Sequence, residues 1–293
     1  MSRSLMDAEI ASQPEHWRKA VDLADTAAHL LPPHGRRLAV VGCGTSWFVA
    51  QAYAWLRESA GLGHTDAFAA SEFPIGREYD EVLAITRSGT TTEVHRLLAA
   101  LPEGTHTRVL TGVPSEIAAA AGTTIDLSFS DEKSVVQTRF ATSALVLLRA
   151  HLGHDLSRAI ADAETVLRTP VDPDVRAAGQ FTFLGTGWTV GLAAEAALKL
   201  REASVSWTES YPALEYRHGP ISIAQEGRVT WMFGTAPEGL AEDVARTGAL
   251  FVDNDLDPLA DLVGAQLLAG ALAADRDLDP DSPRNLTRSV VLG

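Results

Sequence analysis

The sequence predicts an α/β protein of two related units, with parallel strands and covering helices on both faces of the sheet. Three observations predict it. Apolar strand-like runs alternate with helix-like runs. Residues 38–59 and 181–204 share one pattern, an apolar run followed by Gly-x-Gly and an Ala/Leu-rich helix. Gly44 and Gly187 are separated by about half of the 293-residue chain, which indicates an internal duplication.

The first half of the chain continues this alternation. After the run that begins at Leu38, strands are predicted at 66–69, 82–86, 108–111 and 124–127. Helices are predicted at 91–100, 115–121 and 139–153. Since ligands of such sheets bind beyond the carboxyl ends of the strands, the turns that follow the strands are candidate sites.

The second half carries fewer elements. Strands are predicted at 181–184, 229–233 and 250–252, and helices at 191–206 and 258–274. The stretch 168–176 contains Pro170 and Pro173 and is interpreted as a linker, so we expect domains at 1–168, which begins with a helical arm, and at 177–293. The tail from Asp277 contains Pro280 and Pro283 and is expected to be an extended arm.

Composition and charge exclude several classes of protein. The formal net charge is −14 and no basic cluster offsets it, so the chain is not expected to bind nucleic acid. It has no apolar run of about 20 residues that would span a membrane. The N-terminus lacks an apolar signal region. The single cysteine, Cys43, excludes an internal disulfide and fits a reducing cytoplasm.

The turn at residues 42–46 is the first candidate site. Its sequence, Gly-Cys-Gly-Thr-Ser, stands between a strand and a helix, where backbone N–H groups and hydroxyls can hold a phosphate. A tight βα turn without a ligand explains the glycines equally well. A dinucleotide is disfavoured, because Trp47 stands where the G-x-G-x-x-G pattern requires its third glycine.

The loop at residues 86–93 is the second candidate. Thr90 and Glu93 have the spacing of a capping box, which predicts a helix start. Ser88, Thr90, Thr91 and Thr92 supply more hydroxyls than a cap needs. The surplus suits a phosphate, to which Arg87 would add a positive charge. The alternative is a polar loop with a good cap.

A stripe of charges on one predicted helix is the third candidate. Glu195, Lys199 and Glu202 are spaced i, i+4 and i+7, which places them on one face. They form either a surface ladder of ion pairs or a carboxylate base in a cleft with Lys199 beside it.

His218 is the fourth candidate. It precedes Gly219 and Pro220 on a constrained loop, which can hold a catalytic imidazole in place. A structural role in the loop is the alternative.

Taken together, these residues resemble the tandem sugar isomerase (SIS) domain family, which includes the isomerase half of glucosamine-6-phosphate synthase and fructosamine deglycase-type proteins. The resemblance extends over the whole chain. The segments that carry it are Met6 to Pro14, Gly42 to Ser46, Arg87 to Thr91, Glu132 to Arg139, Ala197 to Glu202, Glu215 to Pro220 and Pro283 to Val290. The resemblance implies two three-layer αβα domains of flavodoxin-like topology.

The resemblance also implies a phosphosugar isomerase or deaminase, with a role for each site residue. Glu202 would move a proton between C1 and C2, with Lys199 beside it, and His218 would assist ring opening from the partner subunit of a homodimer. The sugar phosphate would be held by Gly44, Thr45, Ser46, Thr86, Arg87, Ser88 and Thr91, and the sugar would be lined by Val135, Gln137 and Thr287. The resemblance implies neither a metal nor a cofactor. Glutamine-dependent amination is not expected, since the family's glutamine-hydrolysing domain is not found in this sequence.

One departure from the family bears on the chemistry. The synthase carries a Schiff-base lysine where this chain has Arg288, and a guanidinium is a poor nucleophile that stays protonated. Imine chemistry through the protein is therefore in question, while proton transfer is not, and Arg288 could still pair with a sugar hydroxyl or the phosphate. Gln137 and Thr86 each stand in place of a family serine and leave the identity of the sugar open. Two alternatives stay open: cleavage of phosphorylated fructosamine adducts, and a non-catalytic module that binds sugar phosphates.

Overall fold

The structure, a computed structural model, describes residues 4–292. The chain forms two compact units, each assembled from separate stretches. The five-stranded unit comprises Glu15–Lys133, Gln137–Leu156 and Thr287–Gly293, and the four-stranded unit comprises Met1–Pro14, Ser134–Val136 and Ser157–Leu286. The domain boundaries expected from the sequence stay a prediction. Gly293, the last residue of the expected arm, lies outside the described residues.

The elements of the two units follow the alternation that the sequence predicts. The strands are β1 (Leu38–Gly42), β2 (Thr65–Ala69), β3 (Glu81–Thr86), β4 (His106–Thr111), β5 (Thr123–Asp126), β6 (Gln180–Gly185), β7 (Thr208–Pro212), β8 (Arg228–Phe233) and β9 (Leu250–Asp253). The α-helices are α1 (Leu5–Ala11), α2 (Gln13–Thr26), α3 (Thr45–Ser59), α4 (Thr92–Ala100), α5 (Arg139–His151), α6 (Ser157–Val166), α7 (Pro173–Arg176), α8 (Thr189–Ser204), α9 (Leu240–Ala245) and α10 (Pro258–Asp275).

The sheet of the five-stranded unit is entirely parallel and has the order β2-β1-β3-β4-β5. Every residue of β1 and β3 is buried, as is typical of inner strands covered on both faces. The four predicted strands of this half are confirmed to within two residues. Their apolar side chains pack with α4 in a core that includes Val41, Ala84 and Leu97.

The sheet of the four-stranded unit is also parallel, with the order β7-β6-β8-β9. The predicted α/β class with parallel sheets is therefore confirmed. β7 was not predicted, because its five residues, Thr-Glu-Ser-Tyr-Pro, lack an apolar run. This strand lies at the edge of the sheet and pairs only with β6, so its side chains need not all be apolar.

The helices depart from the predictions in four places. The stretch 115–121 is not an α-helix but two 3₁₀ turns, Pro114–Glu116 and Ala118–Ala120. Ile117 is the one buried residue of this stretch, so little packing supports a helix that is too short to be stable alone. Three helices were not predicted: α6, α9 and the four-residue α7, which lies in the stretch interpreted as a linker. The other predicted helices are confirmed, with shifts of about two residues at their ends. The tail is extended as expected, without helix or strand from 276 to 292.

Within residues 4–292, no helix combines the length and the hydropathy that a membrane crossing requires.

Candidate functional site

The polar turns predicted to hold a phosphate follow neighbouring strands of the five-stranded sheet. β1 and β3 lie side by side, with Leu38 opposite Glu81 and Val41 opposite Ala84. In the order 2-1-3-4-5 the chain leaves these two strands toward opposite sides of the sheet. Ligands of such sheets bind at this switch point. The structure thus brings the turn at 42–46 and the loop at 86–91 to the same edge of one sheet.

The turn after β1 leads directly into the first turn of α3. A Cβ atom on Gly42 would lie 2.6 Å from the carbonyl carbon of Ser46, and Gly44 has a φ of 53°, so both positions favour glycine. Gly44 is the N-cap of α3 and no side chain caps this helix. Thr45 and Ser46, the first two helical residues, are buried. The arrangement is one that can bind an anion at a helix N-terminus.

The loop after β3 carries buried polar groups. Thr86, Arg87 and Ser88 are each less than 8% exposed. Within the described residues, the Thr86 hydroxyl is buried and has no hydrogen-bond partner. A buried hydroxyl without a partner costs about 1–3 kcal/mol, so a ligand that bonded to Thr86 would recover that cost.

The capping box expected at this loop is wrong. The N-cap of α4 is Thr91, without a side-chain cap, and not Thr90. The Thr90 hydroxyl instead lies 3.1 Å from the Ser88 hydroxyl and 2.9 Å from the Ser289 hydroxyl. The hydroxyls of this loop therefore bond to one another and to the chain terminus rather than closing the helix.

The C-terminal segment, residues 287–292, lies on this loop. The Ser289 hydroxyl is within hydrogen-bond distance of the hydroxyls of Ser88, at 3.1 Å, and Thr91, at 3.4 Å. Arg87 Nη2 donates to the carbonyl of Arg288, and the backbone N–H of Thr92 donates to the carbonyl of Val290. Oxygen atoms of the C-terminal segment thus accept hydrogen bonds from groups of this loop that were predicted to bind a phosphate.

Arg288 bonds to the loop that precedes α5. Its Nη2 lies 2.5 Å from Oδ1 of Asp131, and its Nη1 donates to the carbonyl of Glu132. The guanidinium is therefore engaged in an ion pair, and the arm is anchored by it. Thr287, also on the arm, is exposed, and its hydroxyl donates to the carbonyl of Ser289.

The predicted sugar-side residues lie in a loop organised by Glu132. This fully buried carboxylate accepts the backbone N–H groups of Thr138, Arg139 and Phe140 and so closes the N-terminus of α5. Gln137 belongs to the five-stranded unit, and its Nε2 is buried without a hydrogen-bond partner among the described residues. Val135 is half-buried and belongs to the four-stranded unit.

The charged stripe of α8 is buried and not a surface ladder. Lys199 is fully buried, Glu195 is 2% exposed, and the side chain of Glu202 retains 19% exposure. Lys199 Nζ lies 2.5 Å from Oε2 of Glu202 and 3.5 Å from Oε1 of Glu195. The ammonium fixes the position of the Glu202 carboxylate, the one acidic group of the three with access to solvent.

His218 lies on an anchored loop of the same unit. The preceding 3₁₀ turn, Glu215–Arg217, buries Tyr216, whose hydroxyl lies 3.1 Å from that of Thr230. Arg217 Nε donates to Oδ2 of Asp243 at 2.5 Å. These contacts fix the loop and leave the His218 side chain exposed. An imidazole in this position is available to a group outside the unit.

The turn of the four-stranded unit that corresponds to 42–46 is closed by its own hydrogen bonds. The Thr189 hydroxyl accepts the backbone N–H of Thr186 and lies 2.9 Å from the carbonyl of Phe233. A Cβ atom on Gly185 would lie 2.3 Å from the carbonyl oxygen of Thr189. The Thr189 hydroxyl is therefore engaged within its own unit.

Two residues that contact the candidate site residues were not predicted from the sequence. Ser289 bonds to the hydroxyls of the loop at 86–91, and Asp131 pairs with Arg288. Both lie within segments that the family resemblance includes or adjoins. No pattern in the sequence distinguishes them, because their partners depend on the path of the C-terminal segment.

Comparison with models of known protein families gave no match. Among curated proteins, the chain is 31% identical to the isomerizing glutamine–fructose-6-phosphate aminotransferase of Gloeobacter violaceus, covering 87% of this chain and 52% of that protein. It is 30% identical to the corresponding protein of Listeria innocua, with the same shares covered. The chain therefore spans about half the length of the curated relatives it matches.

Solved structures of similar fold cover almost the whole chain. Glucosamine-6-phosphate deaminase of Thermotoga maritima has a TM-score of 0.83 at 23% identity and covers 99% of this chain and 100% of its own. The C-terminal domain of glucosamine-fructose-6-phosphate aminotransferase of Francisella tularensis has a TM-score of 0.80 at 20% identity, covering 96% and 99%. Tagatose-6-phosphate ketose/aldose isomerase of Escherichia coli has a TM-score of 0.78 at 17% identity, covering 100% and 98%. These comparisons establish the fold.

Proposed function

We propose that the chain is a phosphosugar isomerase that moves a proton between C1 and C2 of a phosphorylated sugar or amino sugar. The observation that carries the proposal is the pair of hydroxyl-rich turns at the β1/β3 switch point, one of them with a buried hydroxyl that has no partner in the described protein. The curated relatives and the similar folds support the substrate class, since their names refer to phosphorylated hexoses or hexosamines.

The phosphate would be held by the turns of the five-stranded unit. Gly44, Thr45 and Ser46 would offer the N-terminus of α3, and Thr86, Ser88 and Thr91 would add hydroxyls. Arg87 would contribute positive charge, so that the overall charge of −14 does not prevent binding. Binding energy from the phosphate, far from the reacting carbons, would serve to orient the sugar.

Proton transfer would be carried by Glu202. Its carboxylate would take the proton from the carbon next to the carbonyl and return it to the neighbouring carbon through an enediol or enolamine, while a hydroxyl proton moves to the carbonyl oxygen. Lys199 would keep the carboxylate in place. His218 would assist ring opening, and we propose that it does so from the partner subunit of a homodimer. Val135, Gln137 and Thr287 would line the sugar.

Arg288 would act as an anchor of the arm and not as a nucleophile. Its guanidinium pairs with Asp131, and no imine can form at a protonated guanidinium. We propose that isomerisation here proceeds by direct proton transfer. A glutamine-hydrolysing step is not part of this proposal. We further propose that the two units, whose sheets share the order 2-1-3-4, arose by duplication, and that the protein works in the cytoplasm without a cofactor.

The test is hydrogen exchange in deuterated water, followed by NMR. Fructose 6-phosphate, glucosamine 6-phosphate, tagatose 6-phosphate and a fructosamine 6-phosphate would each be incubated with the protein, with fructose as the unphosphorylated control. We expect deuterium at C1 or C2 of at least one phosphorylated compound and none in fructose. Amine release without such exchange would favour the deglycase reaction. Absence of both from every compound would contradict an enzymatic role.

A further inference from the structure

A cavity of about 550 Å³ lies within the four-stranded unit, away from the residues assigned to proton transfer. It is bordered by α6, the stretch that follows α6, the edge strand β9 and α10. Its walls include Trp231, Val252, Asn254, Leu256, Asp261 and Leu267. Neither Lys199, Glu202 nor His218 lines it. Its volume and its mainly apolar walls with a few polar groups are typical of small-molecule sites.

Asp261 is a buried carboxylate in this wall. It is 2% exposed, and its Oδ2 and Oδ1 accept hydrogen bonds from Trp231 Nε1 at 2.9 Å and Asn254 Nδ2 at 2.8 Å. Both donors are uncharged. A carboxylate has about four acceptor positions, so Asp261 retains the capacity to accept further hydrogen bonds. A buried carboxylate that meets only neutral donors is poorly compensated for its lost hydration.

The other two acidic residues of the wall are already engaged. Asp172 accepts the backbone N–H groups of Asp174 and Val175 as the N-cap of α7. Asp255 pairs with Arg158 at 2.7 Å, and its side chain is fully exposed. Among the residues that line the cavity in the described chain, none is Lys, Arg or His. The cavity thus holds one buried acidic group without a cationic partner lining it.

The pKa of Asp261 agrees with this geometry. Burial raises the pKa of its carboxyl to about 6, and the nearby Asp253 raises it further while the two hydrogen bonds lower it. The charged form is therefore stabilised by any cation that enters the cavity.

We propose that this cavity binds a small organic amine, whose ammonium group pairs with Asp261 and whose apolar body lies against Trp231 and Val252. The indole, which donates its N–H to Asp261, adds apolar surface to this wall. An anionic ligand is disfavoured by the three carboxylates, and a neutral apolar ligand leaves Asp261 uncompensated. The inference does not depend on the proposed isomerase reaction, because the two sets of residues are separate.

The test compares two probes of the same shape, tryptamine and its uncharged analogue tryptophol, by calorimetric titration at pH 7.5. We expect the wild-type protein to bind tryptamine at least about tenfold more tightly than tryptophol. Asp261→Asn is expected to remove that preference, because the amide keeps the volume and loses the charge. Asp255→Asn, at the exposed end of the cavity, is the matched control and should retain it.

A second variant tests the cavity without changing its charge. Val252→Trp would fill the space from β9 and should weaken tryptamine binding about tenfold or more with Asp261 intact. The proposal is wrong if the wild type binds neither probe, if it binds both equally, if Asp261→Asn retains the preference, or if Val252→Trp binds tryptamine as the wild type does.

Discussion

The hydroxyl of Ser289 lies 3.1 Å from that of Ser88, although the two residues are 201 positions apart in the chain. The C-terminal segment thereby supplies oxygen atoms to the loop that follows β3. Arg87 and the backbone N–H of Thr92 bond to carbonyls of the same segment. An incoming phosphate would therefore replace hydrogen bonds that the protein already makes to itself, and its net affinity would be lowered accordingly.

Removing the Ser289 hydroxyl should favour phosphate. Ser289→Ala deletes the group that competes for Ser88, Thr90 and Thr91, so we expect inorganic phosphate to bind about threefold more tightly in a calorimetric titration. Ser282→Ala, which changes an exposed serine of the other unit, is the control and should bind as the wild type does. Weaker binding by Ser289→Ala would show that Ser289 holds the phosphate rather than competing with it.

Removing the Ser88 hydroxyl should have the opposite effect. Ser88→Ala loses a hydrogen bond to a charged phosphate, and we expect the Kd for fructose 6-phosphate to rise about tenfold. The matched control is Ser128→Ala, an exposed serine of the same unit, which should leave the Kd unchanged. An unchanged Kd in Ser88→Ala would remove the loop at 86–91 from the phosphate site.

A shared active site can be detected by mixing inactive variants. If His218 serves the Glu202 of its partner, a mixed dimer of Glu202→Gln and His218→Asn contains one intact site. Random pairing should then restore roughly one quarter of the wild-type activity. The pair Glu202→Gln and Lys199→Met, whose changes affect the same helix, should restore none. Activity no higher than that of the separate variants would place His218 in the site of its own subunit.

The stability of the protein should depend on pH through Asp261. The pKa of this carboxyl is about 6 in the folded protein and about 4 when unfolded, so the folded state binds the proton more tightly. Stabilisation from the protonated form is present below pH 4 and is lost as the pH rises to 6. We expect the free energy of unfolding of the wild type to fall by about 2 kcal/mol relative to Asp261→Asn between pH 4 and pH 7.

Urea unfolding of both proteins between pH 4 and pH 7 measures this difference. Asn254 can turn its amide to bond with an asparagine at 261, so the variant retains a paired side chain. A constant difference for Asp261→Asn would mean that the carboxyl has its ordinary pKa in the folded state.

The inner strands could be predicted because burial on both faces requires nearly continuous apolar runs. β1 and β6 are such runs, and every residue of both is buried. β7 could not be predicted, because an edge strand tolerates polar side chains, and its sequence is that of a turn as much as of a strand. The stretch 115–121 shows the opposite error, since its alanines favour a helix, but the run is short and Ile117 is its one buried residue.

The roles of the candidate site residues stay a prediction, while part of their geometry could be predicted from local chemistry. The surplus of hydroxyls at 86–91 pointed to that loop. The spacing of Glu195, Lys199 and Glu202 predicted one face of a helix, and α8 places them there as an ion-paired stripe. The contact between Ser88 and Ser289, by contrast, depends on where the C-terminal segment returns to the sheet. The environment of Asp261 depends likewise on residues from three separate elements.

Proton transfer by Glu202, with other residues holding the substrate, can be measured directly. The quantities are the rate of deuterium incorporation at C1 and C2 of the best substrate by Glu202→Gln and the Kd for that substrate. We expect the rate to fall about 10³-fold with a Kd within about threefold of the wild type, because the amide keeps the shape and cannot accept the proton. Glu226→Gln, an exposed glutamate of the same unit, should exchange at the wild-type rate. Exchange by Glu202→Gln at a rate close to that of the wild type would show that Glu202 does not transfer the proton.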